Sequence, residues 1–352
     1  MICACQLGLA IGINKFLPEQ PVFTGGLFFM SMMEENKNEI PAAFRERLQA
    51  LLPSDLFADC WQSFAAVHPT AFRANRLKAD GHALCAELLA EGFSPTALLW
   101  KADAFTVPAE QRRALTECAA YGEGRLYIQN SSSMVPPLLV DPQPNEWILD
   151  LTAAPGSKTL QLADMMGNEG RISAVESVRG RFFRLRDNLA KHGADNVQTY
   201  LKDGARVWRQ CPEQFDRVLL DAPCSSEGQF RADEPKTWAY WSEKKITEMN
   251  RKQRKLIFSA LQCLKPGGVL VYSTCTFAPE ENEAIIDRAL GQFPGALEVE
   301  AIELPFEHAE PGLSEWKGKT FDERVRRARR ILPLDGMEGF FVCRLRKTGS
   351  TA

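Results

Sequence analysis

What most restricts the fold of this chain is the order of its apolar runs after residue 145. "EWILDL", "GRISAVES", "VQTYLKD", "FDRVLLDAP" and "GVLVYSTC" each have the length of a buried strand. Helical stretches lie among them. One starts near Lys158, a second is "RGRFFRLRDNLAKHG", a long third inside "SEKKITEMNRKQRKLIFSALQCLKPGG" is ended by Pro266 and two glycines, and "PEENEAIIDRALGQF" carries Pro279 in its first turn. Strands alternating with helices predict a parallel, doubly wound α/β sheet. Two further strands, near "ALEVEAIEL" and "GFFVCRLR", close the chain and read as an antiparallel edge.

In such a sheet ligands bind beyond the carboxyl ends of the strands, so the strand ends are the places to look. They are Asp150 followed by "LTAAPGSKT", Glu176, Asp203, Asp221 followed by "APC", and Cys275. "DLTAAPGSKT" is a small-residue turn from strand into helix: Ala153, Ala154 and Gly156 let a ligand approach the backbone, and the first N–H groups of the helix can hold a carboxylate or another anion. The turn lacks both the GxxxxGK spacing of a phosphate loop and GxGxxG. Glu176 lies twenty residues beyond Gly156, where an acid holds a ribose diol in nucleotide-binding α/β folds. Asp203 is placed for the adenine side or an amino group. Taken singly, Glu176 and Asp203 read as helix caps; three acids at successive strand ends predict a nucleoside-type cofactor. One Lys and no Arg cluster in the loop disfavour a phosphorylated one. A zwitterion with a carboxylate, an amine and a ribose, such as S-adenosylmethionine, fits better.

Upstream, apolar residues at helical spacing run from Ile40 to Phe64, "HPTAFRANRLKAD" is a short extended segment bearing Arg73, Arg76 and Lys78, and "GHALCAELLAEGFSP" reads as a helix. Residues 39–145 are expected to form a small mixed α+β domain, "DPQPNE" a turn-rich boundary, and 146–348 the catalytic domain. Residues 1–38 read as a disordered leader or as the product of a misplaced start, with Met30, Met32 or Met33 as the true one. No basic signal-peptide region, membrane-length apolar run or Arg-rich transit peptide is visible there, so a cytoplasmic monomer is expected.

The formal net charge of -3 excludes a chain that is a basic coat for nucleic acid, so any such surface must be local. The ten cysteines are scattered without a CxxC pair, and the four histidines lack HxxxH spacing. A metal site is therefore not expected, and a reducing compartment fits better than a disulfide framework. Most of these cysteines read as small apolar core residues. Cys224 and Cys275 differ, because both follow strands at the ligand edge in small, polar surroundings, "APCSS" and "STCT". A cysteine so placed is a candidate nucleophile if its thiolate is stabilised.

"DLTAAPGSKT", "LLDAPCSSEG", "VYSTCTFAPEENE" and "RILPLDGMEGFFVCRL", with "TAFRANRLK" and "YIQNSSSMVP" upstream, resemble in order the motifs of the Sun family of RNA cytosine-5 methyltransferases, over roughly Pro69 to Lys347. The resemblance implies a Rossmann-like class I methyltransferase fold, S-adenosylmethionine as cofactor and RNA as substrate, with ribosomal RNA ahead of transfer RNA. It implies an N-terminal RNA-binding domain that is RRM-like. By the same comparison Cys275 is the nucleophile, Cys224 assists product release, and Asp221 contacts the cytosine and the cofactor region. Thr152, Ala153, Ala154, Pro155, Gly156, Ser157 and Lys158 wrap the cofactor's methionine part, Glu176 holds its ribose, and Asp203 and Arg181 line the adenine side. Lys158 joins Asp221 and the two cysteines in the catalytic set. Thr152, Ser157, Ser226 and Glu176 stand where the family more often has Cys or Ala, Gly, Gly and Asp; none of these departures removes a catalytic group.

Three basic clusters are candidate phosphate contacts: Arg179, Arg181, Arg184 and Arg186; Arg251, Lys252, Arg254 and Lys255; and "ERVRRARR". The first two read equally well as solvated helix faces. The third, with Arg326, Arg327, Arg329 and Arg330, is the favoured RNA contact. Phe230, Trp238 and Trp241 are either base-stacking residues or core. The rival readings are a DNA cytosine-5 methyltransferase, which would leave the second cysteine without a role, an RNA-binding assembly factor without catalysis, which needs no second cysteine, and a phosphate-loop hydrolase, which lacks its glycine spacing.

Overall fold

The strand ends named above come together along one edge of a nine-stranded sheet in the computed structural model, which describes residues 39–351. The expected leader, 1–38, lies outside the described residues. The described residues belong to one compact unit.

The chain enters through helices α1 (Ala42–Leu51) and α2 (Ser54–Ser63). A four-stranded antiparallel sheet follows, from β1 (Thr70–Ala74), β2 (Thr96–Ala97), β3 (Ala104–Val107) and β4 (Leu126–Ile128), in the order β2-β3-β1-β4. Helix α3 (Gly81–Ala90), capped by Asp80 at the amides of His82 and Ala83, buries Leu84 and Leu88 against Phe72, Phe105 and Val107 of that sheet. Short helices α4 (Arg112–Glu117) and α5 (Ala119–Gly122) complete this layer, and α6 (Val135–Val140) leads into the large sheet.

There β5 (Trp147–Asp150), β6 (Arg171–Glu176), β7 (Val197–Leu201), β8 (Phe215–Asp221) and β9 (Leu264–Thr274) are parallel, in the order β7-β6-β5-β8-β9. Strand order reverses between β5 and β8, which opens a crevice at their carboxyl ends. Side chains alternate across the sheet as the pleat requires. Ile148, Leu219 and Val271 face α7 (Ser157–Met165) and α8 (Arg179–His192), whereas Leu149, Val218, Leu220, Leu270 and Tyr272 face α9 (Glu243–Cys263) and α10 (Glu283–Gln292). Helices thus cover both faces, which is why these strands are apolar throughout.

The last third departs from the expected pattern. β9 begins at Leu264, so Pro266 and both following glycines lie within the strand, which pairs again after an irregularity between Phe215 and Arg217 of β8. Helix α10 begins at Glu283 rather than in the turn after Pro279. β10 (Leu297–Glu300) does pair antiparallel with the last strand, β15 (Phe340–Lys347), but β15 is no edge: it lies antiparallel against β9, and β14 (Arg329–Ile331) continues the sheet beyond it to β11 (Ala309–Pro311). A separate pair, β12 (Glu315–Trp316) and β13 (Lys319–Thr320), lies between them in sequence. These strands are two or three residues long, too short for a periodicity to announce them.

Two contacts tie the upstream region to the large sheet. Arg73 of β1 is fully buried, and its guanidinium bonds Gln129 (3.1 Å) and the Ser157 carbonyl (3.3 Å) and pairs with Asp164 (3.5 Å). Phe44 and Leu48 of α1 and Phe64, just after α2, form an apolar core with Phe230, Trp238 and Phe277. Each such buried side chain contributes about 1.5–3 kcal/mol. Among the described residues no helix is long and apolar enough to cross a membrane, and no cluster of His, Cys, Asp and Glu could hold a metal.

Candidate active site

A cavity of about 600 Å³ opens at the reversal point, lined by Thr152, Ala154, Glu176, Val178, Arg181, Asp203, Asp221, Cys224, Ser226, Lys252, Leu256 and Cys275 among others. Its size is that of a small-molecule site. The expected residues do not all reach it. Within the first loop only Thr152 and Ala154 line the cavity, while Ala153, Pro155, Gly156 and Ser157 build the turn behind it. Gly156 has φ 111°, open to glycine, and a Cβ there would stand 3.0 Å from Leu185.

Lys158 turns from the head of α7 to Asp221, with 2.7 Å between Nζ and the carboxylate, and donates to the Ser133 hydroxyl at 2.7 Å. The other Asp221 oxygen accepts from Ser273 at 2.8 Å, and the Asp221 carbonyl accepts from the Thr152 hydroxyl at 2.8 Å. Asp221 is thereby fixed at the cavity wall, one third exposed. Glu176 is buried and accepts from the Val178 amide at 2.7 Å, with Arg181 3.5 Å from its second oxygen. Asp203 is exposed and caps the turn after β7 through the Ala205 amide. Both acids thus do the capping that single acids do, and both also face the cavity. Asp150, behind them, is wholly buried; burial pushes its carboxyl up to about 6 despite the Thr159 hydroxyl 2.6 Å away.

The two cysteines meet. Cys224 Sγ lies 3.3 Å from Cys275 Sγ, at the cavity wall. The bond to Cys275 and burial raise the Cys224 thiol well above the ordinary range, which favours its protonated form. The Ser226 hydroxyl stands 3.6 Å from the Cys275 sulfur. Ser226 occupies the left-handed region at φ 60°, which explains why glycine suits this position in the wider pattern. Gly228 is a second constraint: its amide donates to the Cys275 carbonyl at 2.9 Å, and a Cβ would fall 1.9 Å from the Gly339 carbonyl.

Beneath the two thiol loops lie carboxylates that sequence reasoning missed. Glu281 is fully buried and its carboxyl is pushed up to about 8 by burial. Because the unfolded chain releases this proton near 4.5 and the folded chain holds it to about 8, the unfolded state binds fewer protons between those values. Stability therefore falls as pH rises from about 4.5 to about 8. The urea midpoint of Glu281→Gln is expected to be flatter than wild type across that window; equal slopes would show that the carboxyl does not titrate there.

The arginine cluster needs correcting. Arg330 is buried, with Nε and Nη2 on the Glu283 carboxylate at 2.6 and 2.5 Å and Nη1 on the Phe277 carbonyl at 2.9 Å, so its guanidinium faces the interior and not a phosphate at the surface. It lies in β14, whose alternation sends Arg330 inward and leaves Arg329 half-exposed. Arg326 and Arg327 are exposed, Arg327 bonding the Val299 carbonyl at 2.9 Å. Phe230 and Trp238 are core, and half-buried Trp241 donates to Glu227 at 2.8 Å. Arg179, Arg184, Arg186, Arg251 and Arg254 are exposed, and Lys252 and Lys255 reach the cavity mouth.

A family model described as "16S rRNA methyltransferase RsmB/F" matches residues 137–346. The chain is 45% identical over 228 residues to a tRNA (cytosine(49)-C(5))-methyltransferase of Pyrococcus abyssi, covering 64% of this chain and 72% of that one. It is 37% identical over 317 residues to a ribosomal RNA small subunit methyltransferase F of Vibrio campbellii, covering 88% of this chain and 63% of that one, so it spans somewhat less than two thirds of the ribosomal relative. A methyltransferase homologue protein of Pyrococcus horikoshii has a solved structure that superposes with a TM-score of 0.71 at 33% identity, covering 88% of this chain and all of that one. NSun6 of the same organism, solved with SFG, shares the fold at a TM-score of 0.74 and 22% identity, covering 88% of this chain and 99% of that one. The motifs, the class I methyltransferase fold and these relatives agree: the chain belongs to the RsmB/F methyltransferases of the Sun family.

Proposed function

We propose that this chain methylates carbon 5 of cytosine in RNA with S-adenosylmethionine as donor, in the cytoplasm and as a monomer. The observation that carries the reading is the Cys224–Cys275 pair, 3.3 Å apart at the wall of the cavity that Asp221 and Glu176 also line. Carbon 5 of cytosine is a poor nucleophile. Addition of the Cys275 thiolate to carbon 6 makes carbon 5 enamine-like, able to take an electrophilic methyl group. Loss of the carbon 5 proton to solvent then re-forms the 5,6 double bond, and the carbon–sulfur electron pair returns to Cys275. Cys224, holding its proton, donates to the departing sulfur.

The residues present suit the cofactor. Glu176 offers a carboxylate for a diol, Val178 and Leu256 apolar walls for a base, and Asp203 an acceptor for an amine. When bound, S-adenosylmethionine supplies the methyl group on a sulfonium. Lys158 and Ser273 hold the Asp221 side chain at the cavity wall, where it would meet the cytosine edge. Residues 39–145 would hold RNA and 146–348 would carry catalysis. Arg326, Arg327 and Arg329 would be phosphate contacts. Ribosomal RNA is the first substrate, since similarity to the ribosomal relative runs over 88% of the chain. Transfer RNA is a second reading, favoured by the higher identity, 45%, to the tRNA enzyme.

The test is transfer of labelled methyl from S-adenosylmethionine to purified small-subunit RNA, assembled small subunits and tRNA, followed by nucleoside analysis. Label is expected in 5-methylcytidine from one of the ribosomal substrates. Glu176→Ala should raise the cofactor concentration for half-maximal rate by about tenfold or more, as loss of a charged hydrogen bond does. No label in any substrate, or label outside 5-methylcytidine, would remove the reading; label in tRNA alone would choose the second one.

A further inference from the structure

The loops bearing the two thiols are tied by bonds that cross between them. Glu227, three residues after Cys224, is buried and bonds the other loop: one carboxylate oxygen accepts from the Thr276 hydroxyl at 2.8 Å and the Phe277 amide at 3.0 Å. Its other oxygen accepts from the Trp241 indole. Glu281, six residues after Cys275, reaches the opposite way. Its oxygens accept from the Ser225 amide at 3.3 and 3.1 Å, and from Gln253 at 2.7 Å, which also donates to the Pro223 carbonyl. Between them the Ser225 and Thr276 hydroxyls meet at 2.7 Å. The residues bonded are the immediate neighbours of the thiols: Pro223 and Ser225 flank Cys224, and Thr276 follows Cys275.

Two carboxyl groups this deeply buried are costly unless their acceptors are used. Neither is spent on an ion pair. Both bond neutral loop donors, and each reaches across to the loop that does not carry it. Such an exchange fixes register: neither loop can slide along the other without stranding a buried acceptor. We infer that Glu227 and Glu281 are positioning residues, a reciprocal pair of carboxyl groups that holds Cys224 and Cys275 in register for the thiol chemistry. The inference rests on the reading of these cysteines as the working pair. Neither carboxylate touches the cavity; they act through the loops. Since misplacing reacting groups by about 1 Å can cost on the order of a hundredfold in rate, the clamp should show in turnover and not in binding.

The test compares Glu281→Ala with Glu281→Gln, and Glu227→Ala with Glu227→Gln, in the full chain. Gln keeps an oxygen for the Ser225 or Phe277 amide, and Ala does not. Two readouts are taken. One is methyl transfer, split into kcat, KM for RNA and cofactor affinity. The other needs no turnover: the rate at which diamide, which takes two hydrogens as it becomes a hydrazine, couples the two thiols, scored as a peptide linking Cys224 to Cys275. Both kcat and coupling rate are expected to fall in the order wild type, Gln, Ala, by about tenfold for Ala, with KM and cofactor affinity within about twofold. Ala variants with wild-type kcat and coupling would overturn the inference. So would Gln variants as slow in turnover as Ala with coupling intact, since that pattern marks a carboxyl that moves a proton. An Ala variant that fails to fold leaves its Gln partner, whose two rates decide. Wild type that couples its thiols yet methylates no RNA rejects the proposed function, while the coupling series still tells whether the carboxylates set the register.

Discussion

Cys224→Ala, expressed in cells, is expected to accumulate a slow-migrating, RNase-sensitive species on a denaturing gel, while Cys275→Ala accumulates none. The reason lies in the order of bond changes in the proposed reaction. Attack by Cys275 on carbon 6 and methyl transfer need one thiolate, and both precede any need for the second thiol. Release differs, since the carbon–sulfur bond breaks only as the departing sulfur is stabilised. Cys224 is placed for that step, 3.3 Å away and holding its proton through its bond to Cys275 and its burial. Removing it leaves attack intact and slows departure, so the adduct outlives the methylation. Removing Cys275 abolishes attack, and methyl transfer should fall by at least about a thousandfold, as when a catalytic nucleophile is deleted. The Cys224→Ala/Cys275→Ala double variant should match Cys275→Ala. An adduct in Cys275→Ala alone would exchange the two roles and favour the chemistry of the DNA enzymes. Sequencing the trapped RNA would name the substrate.

The parallel half of the fold was legible because its signals are local and repeated. Five apolar runs of strand length, each ending at a polar residue, become β5 to β9 within a few residues of the expected bounds, and the small-residue turn after Asp150 becomes the cavity's first loop. Pairing of the cysteines followed from topology: both close strands that a doubly wound sheet places side by side, and β8 and β9 are neighbours. What was not legible depends on partners far apart in sequence. "ERVRRARR" reads as one basic run, but a 3-10 turn over Glu323–Arg327 and a three-residue strand divide it between solvent and core. "PEENE" reads as the acidic start of a helix, yet its three glutamates have separate partners: Arg47 for Glu280, the Cys224 loop for Glu281 and Arg330 for Glu283. No spacing rule assigns such partners, since Glu280 and Arg47 are 233 residues apart. Of the basic residues of "TAFRANRLK", Arg73 turned inward to buried Asp164, while Arg76 and Lys78 stay exposed and still have partners in the chain, Asp164 for Arg76 and the Lys191 carbonyl at the end of α8 for Lys78.

Arg330→Ala should be the most destabilising single change at this site, by about 3–5 kcal/mol, because it strands a buried carboxylate. Arg330 and Glu283 are 3% and 0% exposed, and beside their two-point contact the carboxylate has, among the described residues, one other donor, the Leu313 amide at 3.1 Å. The guanidinium also holds the Phe277 carbonyl, two residues beyond Cys275, so the loss should loosen the nucleophile's loop as well. The charge, not the volume, dominates the cost. Hence Arg330→Met/Glu283→Gln, which removes both charges and keeps an oxygen for the Leu313 amide, should recover at least about half of the lost stability. Urea unfolding of the two variants measures this directly. RNA binding separates the structural role from a phosphate contact. Removing a phosphate contact would leave the urea midpoint unchanged and lower the salt slope of binding by about one. Removing the buried pair moves the midpoint and leaves the slope alone. Arg326→Ala and Arg327→Ala, on the exposed side of the same run, are the variants whose slopes should change if this face meets RNA.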